Sequence, residues 1–187
     1  IAVSRGLGDV YKRQIIAFHE IGHLLVASFY NIKLSWPFFL PIWEIGSFGA
    51  ITRFESLIPN RKTLFDISFA GPAFSGIISI VLLVCGLIFS HPGSLLQMTT
   101  QSFQKSILIS VLAKFILGDQ LKNSIIDINP LFIIGWLGLI ITALNLMPAG
   151  QLDGGRILQS IYGRETVRKS TIITLIILGI VTILNPT

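Results

Sequence analysis

The chain has 187 residues, of which 52% are hydrophobic and only 12% charged, with a formal net charge of +5. Its mean hydropathy is +0.77. A soluble protein of this length cannot hide so much apolar surface, and a nucleic-acid-binding chain would show a clustered basic stripe, whereas these cations are scattered between apolar runs. Such scatter suits contact with anionic lipid headgroups. The single cysteine, Cys85, excludes a disulfide framework and reads as a small hydrophobe.

Residues 1–14, "IAVSRGLGDVYKRQ", have neither an apolar h-region nor a small-residue cleavage site, so they do not form a signal peptide. They stop abruptly where an apolar run begins. The expectation is a non-native leader at 1–14, followed by a partial core at 15–187. The first element of that core is a shortened membrane helix from Ile15 to about Tyr30.

Leu34 to Lys62 is rich in Trp, Phe, Pro and Gly, which forbids a continuous helix. Within it "SFGAITRFES" has the β-branched and aromatic content of a short strand or hairpin. Trp36 and Trp43 suit a membrane–water boundary. The segment is expected to form a small membrane-associated β-loop.

A second span is expected over Asp66–Ser90, with Asp66 as its cap and "AGP" (Ala70, Gly71, Pro72) allowing close helix approach and a kink. Ser102–Gly118, interrupted by Lys105 and Lys114, reads as an amphipathic helix lying in the interface, with a crossing by snorkelling lysines as the alternative. Pro130–Met147 is a third span running into "NLMPAGQLDGGRIL". Arg156–Tyr162 is short and amphipathic, and Ser170–Leu184 is apolar but short for a span. The chain reads as a polytopic, all-α membrane protein cut at both ends. No internal repeat is evident, which weakens a transporter reading.

The chemistry concentrates in "FHEIGHLL", Phe18–Leu25. Residues four apart share a helix face, so His19 and His23 can chelate one ion with Glu20 beside them. In an HExxH pattern two neutral imidazoles bind zinc, and the carboxylate takes a proton from the metal's water, whose pKa falls from about 15.7 to about 7. Short HExxH matches arise by accident in soluble chains. In a bilayer, however, an ionisable group costs about 2.5–3.5 kcal/mol to insert, so three polar side chains within one and a half turns call for a function.

A catalytic zinc needs a third protein ligand. Glu55, Asp119 and Asp127 sit in loops, His91 adjoins a proline, Asp9 belongs to the leader, and Glu165 in "GRETVRK" reads as an exposed salt-bridge partner. Asp153 stands out: it follows a long apolar run, and Gly154 and Gly155 remove side-chain bulk beside it. An ordinary turn would also account for "DGG".

"HEIGH" together with "NLMPAGQLDGG" resembles the site-2 protease family of intramembrane zinc metalloproteases, whose second motif reads NxxPxxxLDGG. Asn145, Pro148, Leu152, Asp153, Gly154 and Gly155 fill those positions. "SFGAITRFES" and "FDISFAGP" narrow the resemblance to the plant and cyanobacterial branch, the ethylene-dependent gravitropism-deficient and yellow-green proteins. The resemblance covers Ile15 to the C-terminus.

It implies a core of several membrane helices with one Zn2+ per chain, held by His19, His23 and Asp153, and Glu20 as general base and acid. It further implies that Asn145 and Pro148 serve substrate binding, Pro148 by breaking the helix ahead of "LDGG". Gly49, Ala50 and Ile51 would lie on a strand that pairs with an unwound substrate. Gly154 and Gly155 would be structural at the site. The implied activity is hydrolysis of peptide bonds in a membrane-spanning protein substrate, in a multi-pass protein of a cyanobacterial or plastid lipid bilayer, with no nucleic-acid partner. The alternative is a catalytically idle relative acting as a membrane chaperone or scaffold, against which the intact Glu20 argues. Oligomeric state and natural substrate are open.

Overall fold

In a computed structural model, the structure describes residues 2–35, 38–42, 46–51, 56, 58–90, 96–99, 107–118 and 125–184. The chain is mostly helical. It divides into two compact units, one made of Ile1–Ser75 with Ile141–Thr187 and the other of Gly76–Ile140.

In the first unit, α1 (Ala2–Phe29) is a single helix, so the backbone of the leader continues into the helix expected from Ile15. α1 is arranged inside out. His19, Glu20 and His23 are buried with Ile15, Ile16 and Ala27, while Phe18, Ile21, Leu24, Leu25 and Phe29 are exposed. Ala27 meets Ile32 and Ile67 in a small apolar cluster.

β1 (Phe38–Ile42) and β2 (Gly46–Ile51) pair antiparallel, with Phe38 opposite Ile51 and Phe39 opposite Ala50. The register slips between Phe39 and Pro41, placing an extra residue on β2 around Gly49, as in a β-bulge. The observed hairpin thus lies earlier in the chain than the stretch expected as β, overlapping it at 47–51, and β2 lies against α1. Trp36, Trp43 and the end of the expected strand at 52–55 lie outside the described residues.

α2 (Arg61–Ile88) starts five residues before the expected Asp66. Asp66 is not its cap. Asn60 is: its Oδ1 accepts from the Thr63 amide at 2.7 Å and from the Thr63 hydroxyl at 2.8 Å. Asp66, one turn further in, accepts instead from the Tyr30 hydroxyl. That bond raises the Tyr30 pKa above its ordinary value, with lesser help from burial and the Asp66 charge.

The second unit holds β3 (Leu96–Thr99), α3 (Ile107–Leu117) and β4 (Ile125–Ile128), with parts of α2 and of α4 (Pro130–Asn145). Its core joins Leu83, Leu87, Ile109, Ala113, Ile126, Ile128 and Phe132. A Cβ at Gly86 would strike the Phe132 backbone and one at Gly135 the Leu83 backbone, so two glycines bring α2 and α4 together. The β3–β4 ladder, Leu96 opposite Ile128 and Thr99 opposite Ile125, was not expected from the sequence. Its strands are only four residues long, too short for their alternation to stand out from the neighbouring apolar runs. α3 spans 11 residues, with Lys114 exposed; Lys105, Asp119 and His91 lie outside the described residues. Cys85 is half-buried rather than buried.

Back in the first unit, α5 (Asp153–Tyr162) begins three residues earlier than the expected Arg156, and Gly163, at φ 88°, separates it from α6 (Arg164–Leu184). Glu165 pairs with Lys169 at 3.3 Å on the surface, as expected of it. Two described helices, α2 and α6, are long and apolar enough to cross a membrane, and the apolar window of α6 buries none of its residues.

Candidate metal centre

His19 and His23 lie one turn apart on the buried face of α1, at 4% and 3% exposure, with Glu20 at 5% between them. The face is available because α2 comes unusually close. A Cβ at Gly22 would lie 2.7 Å from the Ala70 carbonyl and 3.0 Å from Gly71 Cα, and a Cβ at Gly71 would overlap the His23 imidazole at Nε2. The "AGP" glycine thus makes the space that His23 occupies.

Each imidazole is anchored through Nδ1. His23 Nδ1 is 2.7 Å from the Ile67 carbonyl. A carbonyl only accepts, so the His23 proton sits on Nδ1 and Nε2 keeps its electron pair. His19 Nδ1 is 3.0 Å from Ser75 Oγ.

The third member arrives from the far end of the chain. α4 ends at Asn145 and the backbone turns through 146–152, where the Leu146 amide donates to Thr142 O, the Ala149 amide to Met147 O and the Leu152 amide to Ala149 O. Gly150 takes φ 53° in this turn. Two adjacent hydroxyls of α6 hold it: Ser170 donates to the Pro148 carbonyl at 2.7 Å, and Thr171 Oγ1 accepts from the Gly150 amide at 2.9 Å. Asp153 then opens α5, its carboxylate beside the positive end of the helix dipole. A Cβ at Gly154 would strike the Leu146 carbonyl, and one at Gly155 the Gly150 carbonyl. The glycine pair therefore accommodates the turn's own backbone.

Asp153 Oδ2 is 2.7 Å from His19 Nε2 and 3.4 Å from His23 Nε2, and the two Nε2 atoms are 3.1 Å apart. One ligand atom from each of the three residues falls within 4.8 Å of the others.

The set fits a metal ion. Tetrahedral zinc with bonds of about 2.0–2.1 Å keeps its donor atoms about 3.3 Å apart, and these three separations bracket that value. The donors are borderline-soft imidazole and carboxylate, they are buried, and the electron pair of His23 faces an anion, a juxtaposition that a divalent cation relieves. Glu20 lies on the same turn of α1.

The other residues singled out in the sequence are placed as follows. Asn145 is the last residue of α4, half-buried, and Pro148 is exposed in the turn before Asp153. Gly49, Ala50 and Ile51 are on β2, whose one partner strand among the described residues is β1. Sequence reasoning missed Ser75 and Thr142, buried at 1% and 7% and joined by a 3.0 Å hydroxyl contact, and it missed Ser170 and Thr171. The signal was there for the first two: both are polar residues within apolar helices, where such groups are disfavoured without a partner.

Residues 14–185 match Peptidase family M50. The chain is 40% identical over 176 residues to a probable zinc metalloprotease, EGY2, chloroplastic, of Arabidopsis thaliana, covering 92% of this chain and 32% of that protein. It is 42% identical over 180 residues to the protein of that name in Oryza sativa subsp. indica, covering 95% of this chain and 33% of the relative. It is 40% identical over 171 residues to a probable zinc metalloprotease, EGY1, chloroplastic, of Arabidopsis thaliana, covering 89% and 31%. The chain thus spans about a third of the length of these curated relatives. No solved structure matches it. With nearly the whole chain aligned to one family, and with both halves of the His–Asp cluster inside the aligned residues, this protein belongs to peptidase family M50.

Proposed function

We propose that the chain is the membrane-embedded catalytic core of a zinc endopeptidase that hydrolyses peptide bonds of membrane-spanning proteins. The observation that carries this reading is the meeting of His19, His23 and Asp153 within 4.8 Å of one another, from segments at opposite ends of the chain. The names of the relatives, probable zinc metalloproteases, support zinc as the ion.

Bound there, the metal would polarise the scissile carbonyl and activate a water. The chain's own residues supply the rest. His19, His23 and Asp153 are the ligands. Glu20, buried on the same turn of α1, takes the proton from the attacking water and delivers it to the leaving amine. Asn145 hydrogen-bonds the substrate backbone or the developing oxyanion. Pro148, in the turn before Asp153, borders the substrate's path. β2, around Gly49–Ile51, offers backbone groups to an unwound substrate segment, and its position against α1 supports that role. A substrate helix must open locally first, because its carbonyls are otherwise tied into i to i−4 bonds.

The inverted burial of α1 supports a lipid surrounding. Apolar Phe18, Ile21, Leu24 and Leu25 face outward while two imidazoles and two carboxylates are enclosed. α2 and α6 supply candidate spans, and the shorter apolar helices Gln14–Phe29 and Pro130–Asn145 support further crossings in a multi-pass arrangement. The word "chloroplastic" in the relatives' names supports a plastid membrane or its cyanobacterial counterpart. The core is taken as residues 15–187, close to the family match over 14–185.

The deciding experiment measures zinc per chain in detergent-purified wild type and Asp153→Ala. About one zinc that falls in the variant is the expected result. A folded wild type without zinc, or a variant with undiminished zinc, overturns the reading.

A further inference from the structure

We infer that Ser75 and Thr142 act together as positioning residues for His19: Ser75 accepts from the imidazole Nδ1–H and directs its own proton to Thr142, which leaves Nε2 as an electron-pair donor. This rests on the reading of His19, His23 and Asp153 as a zinc site.

The two imidazoles differ in how their tautomer is set. For His23 the Ile67 carbonyl permits one choice. For His19 the partner is a hydroxyl, 3.0 Å from Nδ1, which can donate or accept. If Ser75 donates, a neutral His19 carries its proton on Nε2, pointed at Asp153 Oδ2 2.7 Å away, and has no electron pair for a metal. If Ser75 accepts, the proton is on Nδ1 and Nε2 is free to ligate. Ser75 has one proton, so where that proton goes decides the state of His19.

The Pro72 carbonyl and Thr142 Oγ1 are among the acceptors that compete with Nδ1 for it. The Pro72 carbonyl, in the preceding turn of α2, is 3.4 Å away, at the long end for an O–H donor. Thr142 Oγ1 is 3.0 Å away. With a metal on His19 Nε2 the ring proton is on Nδ1, Ser75 accepts there, and Thr142 Oγ1, the nearer of these two acceptors, takes the Ser75 proton. Ser75, His19 and Thr142 are 1%, 4% and 7% exposed, so bulk water does not stand in for any of them.

The helix register makes the arrangement specific. Ser75 is one turn after Gly71, whose missing side chain admits His23, so a single face of α2 serves both imidazoles. Thr142 is one turn before Asn145 at the end of α4, which leads into the turn that carries Asp153. A hydroxyl pair between two apolar helices also occurs as plain packing glue. Glue would affect stability and leave metal affinity alone, whereas a group that orients a ligand changes affinity by about 10–100-fold.

The test is a zinc competition titration of the full 187-residue chain in detergent against a chromophoric chelator, with melting temperature followed in parallel. The variants are Ser75→Ala, Thr142→Val, Thr142→Ser and the Ser75→Ala/Thr142→Val double. Expected are stoichiometric zinc in wild type, affinity about 10–100-fold weaker in Ser75→Ala, a smaller loss in Thr142→Val restored by Thr142→Ser, and no added loss in the double variant over Ser75→Ala. The cobalt(II)-loaded Ser75→Ala and Thr142→Val proteins should show visible bands displaced from those of wild type. Wild-type zinc affinity in Ser75→Ala and Thr142→Val, with only the melting temperature lowered, overturns the inference and leaves the zinc site standing. If Ser75→Ala does not fold, the near-isosteric Thr142→Val decides, and unchanged zinc affinity there overturns it. A folded wild type without zinc overturns the site and the inference together.

Discussion

Gly71 and His23 compete for one volume: a Cβ on Gly71 would overlap the imidazole at Nε2, the atom that His23 turns toward Asp153. The bond from His23 Nδ1 to the Ile67 carbonyl, one turn earlier on the same helix, leaves the ring no easy retreat. Gly71→Ala should therefore weaken zinc binding by about 10–100-fold, in proportion to the disturbance of a ligand's orientation. Chelator competition reads the loss, and wild-type affinity in the Gly71→Ala protein would show that the ring relocates without consequence.

Glu20 is separable from the ligands. Glu20→Gln keeps the size of the side chain and removes its basicity, so zinc per chain should stay as in wild type. Cleavage of a membrane-spanning reporter in proteoliposomes should fall by about 100-fold or more, the usual scale of a general base. Retained cleavage in the zinc-loaded Glu20→Gln protein is incompatible with the assigned role.

The turn that delivers Asp153 hangs on α6. Thr171→Val removes the acceptor of the Gly150 amide and keeps the side chain's shape. At about 1 kcal/mol for one such bond, amide exchange at Gly150 should speed up roughly fivefold, and more when Ser170→Ala is added. Mass-spectrometric hydrogen exchange over the peptide containing 146–152 checks this, and protection equal to wild type would mean that the turn is held by its own backbone bonds alone.

Tyr30 links the end of α1 to the first turns of α2 through Asp66. The bond favours the protonated phenol, so the Tyr30 pKa lies above its ordinary value. Any contribution of the protonated pair is full below about pH 10 and is lost as pH rises through the elevated pKa. The phenolate absorbance assigned by difference from Tyr30→Phe should titrate late in wild type and earlier in Asp66→Asn. Coincident curves would sink the link.

Asn60 starts α2 with both its bonds directed at Thr63. Asn60→Ala should cost about 1 kcal/mol of local stability and fray residues 61–64, visible as faster exchange there with the centre of α2 unchanged. Undiminished protection would place the helix start under the control of tertiary packing.

Much of this protein could be read from one dimension because the bilayer-like composition narrows the choices. In a chain with 12% charged residues, His19, Glu20 and His23 stand out against their apolar neighbours, and the four-residue spacing alone puts both imidazoles on one side of α1. Apolar runs marked α2, α4 and α6 to within a few residues at most ends, and the stretch expected as β, 47–56, overlaps β2 at 47–51. The short β3–β4 ladder and the true cap of α2 were not legible, because strand pairing and the choice between Asn60 and Asp66 depend on which groups meet in space.

The chemistry is written locally: two imidazoles one turn apart, a carboxylate beside them, and an aspartate followed by two glycines near the other end. Side-chain type and helical period need no folded neighbour to be recognised. It took the folded chain to bring Asp153 to 2.7 Å from His19, to give the space above Gly71 to His23, and to stand Ser75 and Thr142 behind the first imidazole. Each of those is a contact between residues far apart in the chain. What brings them together is the close approach of helices at Gly22 and Gly71, a packing outcome that no single segment encodes.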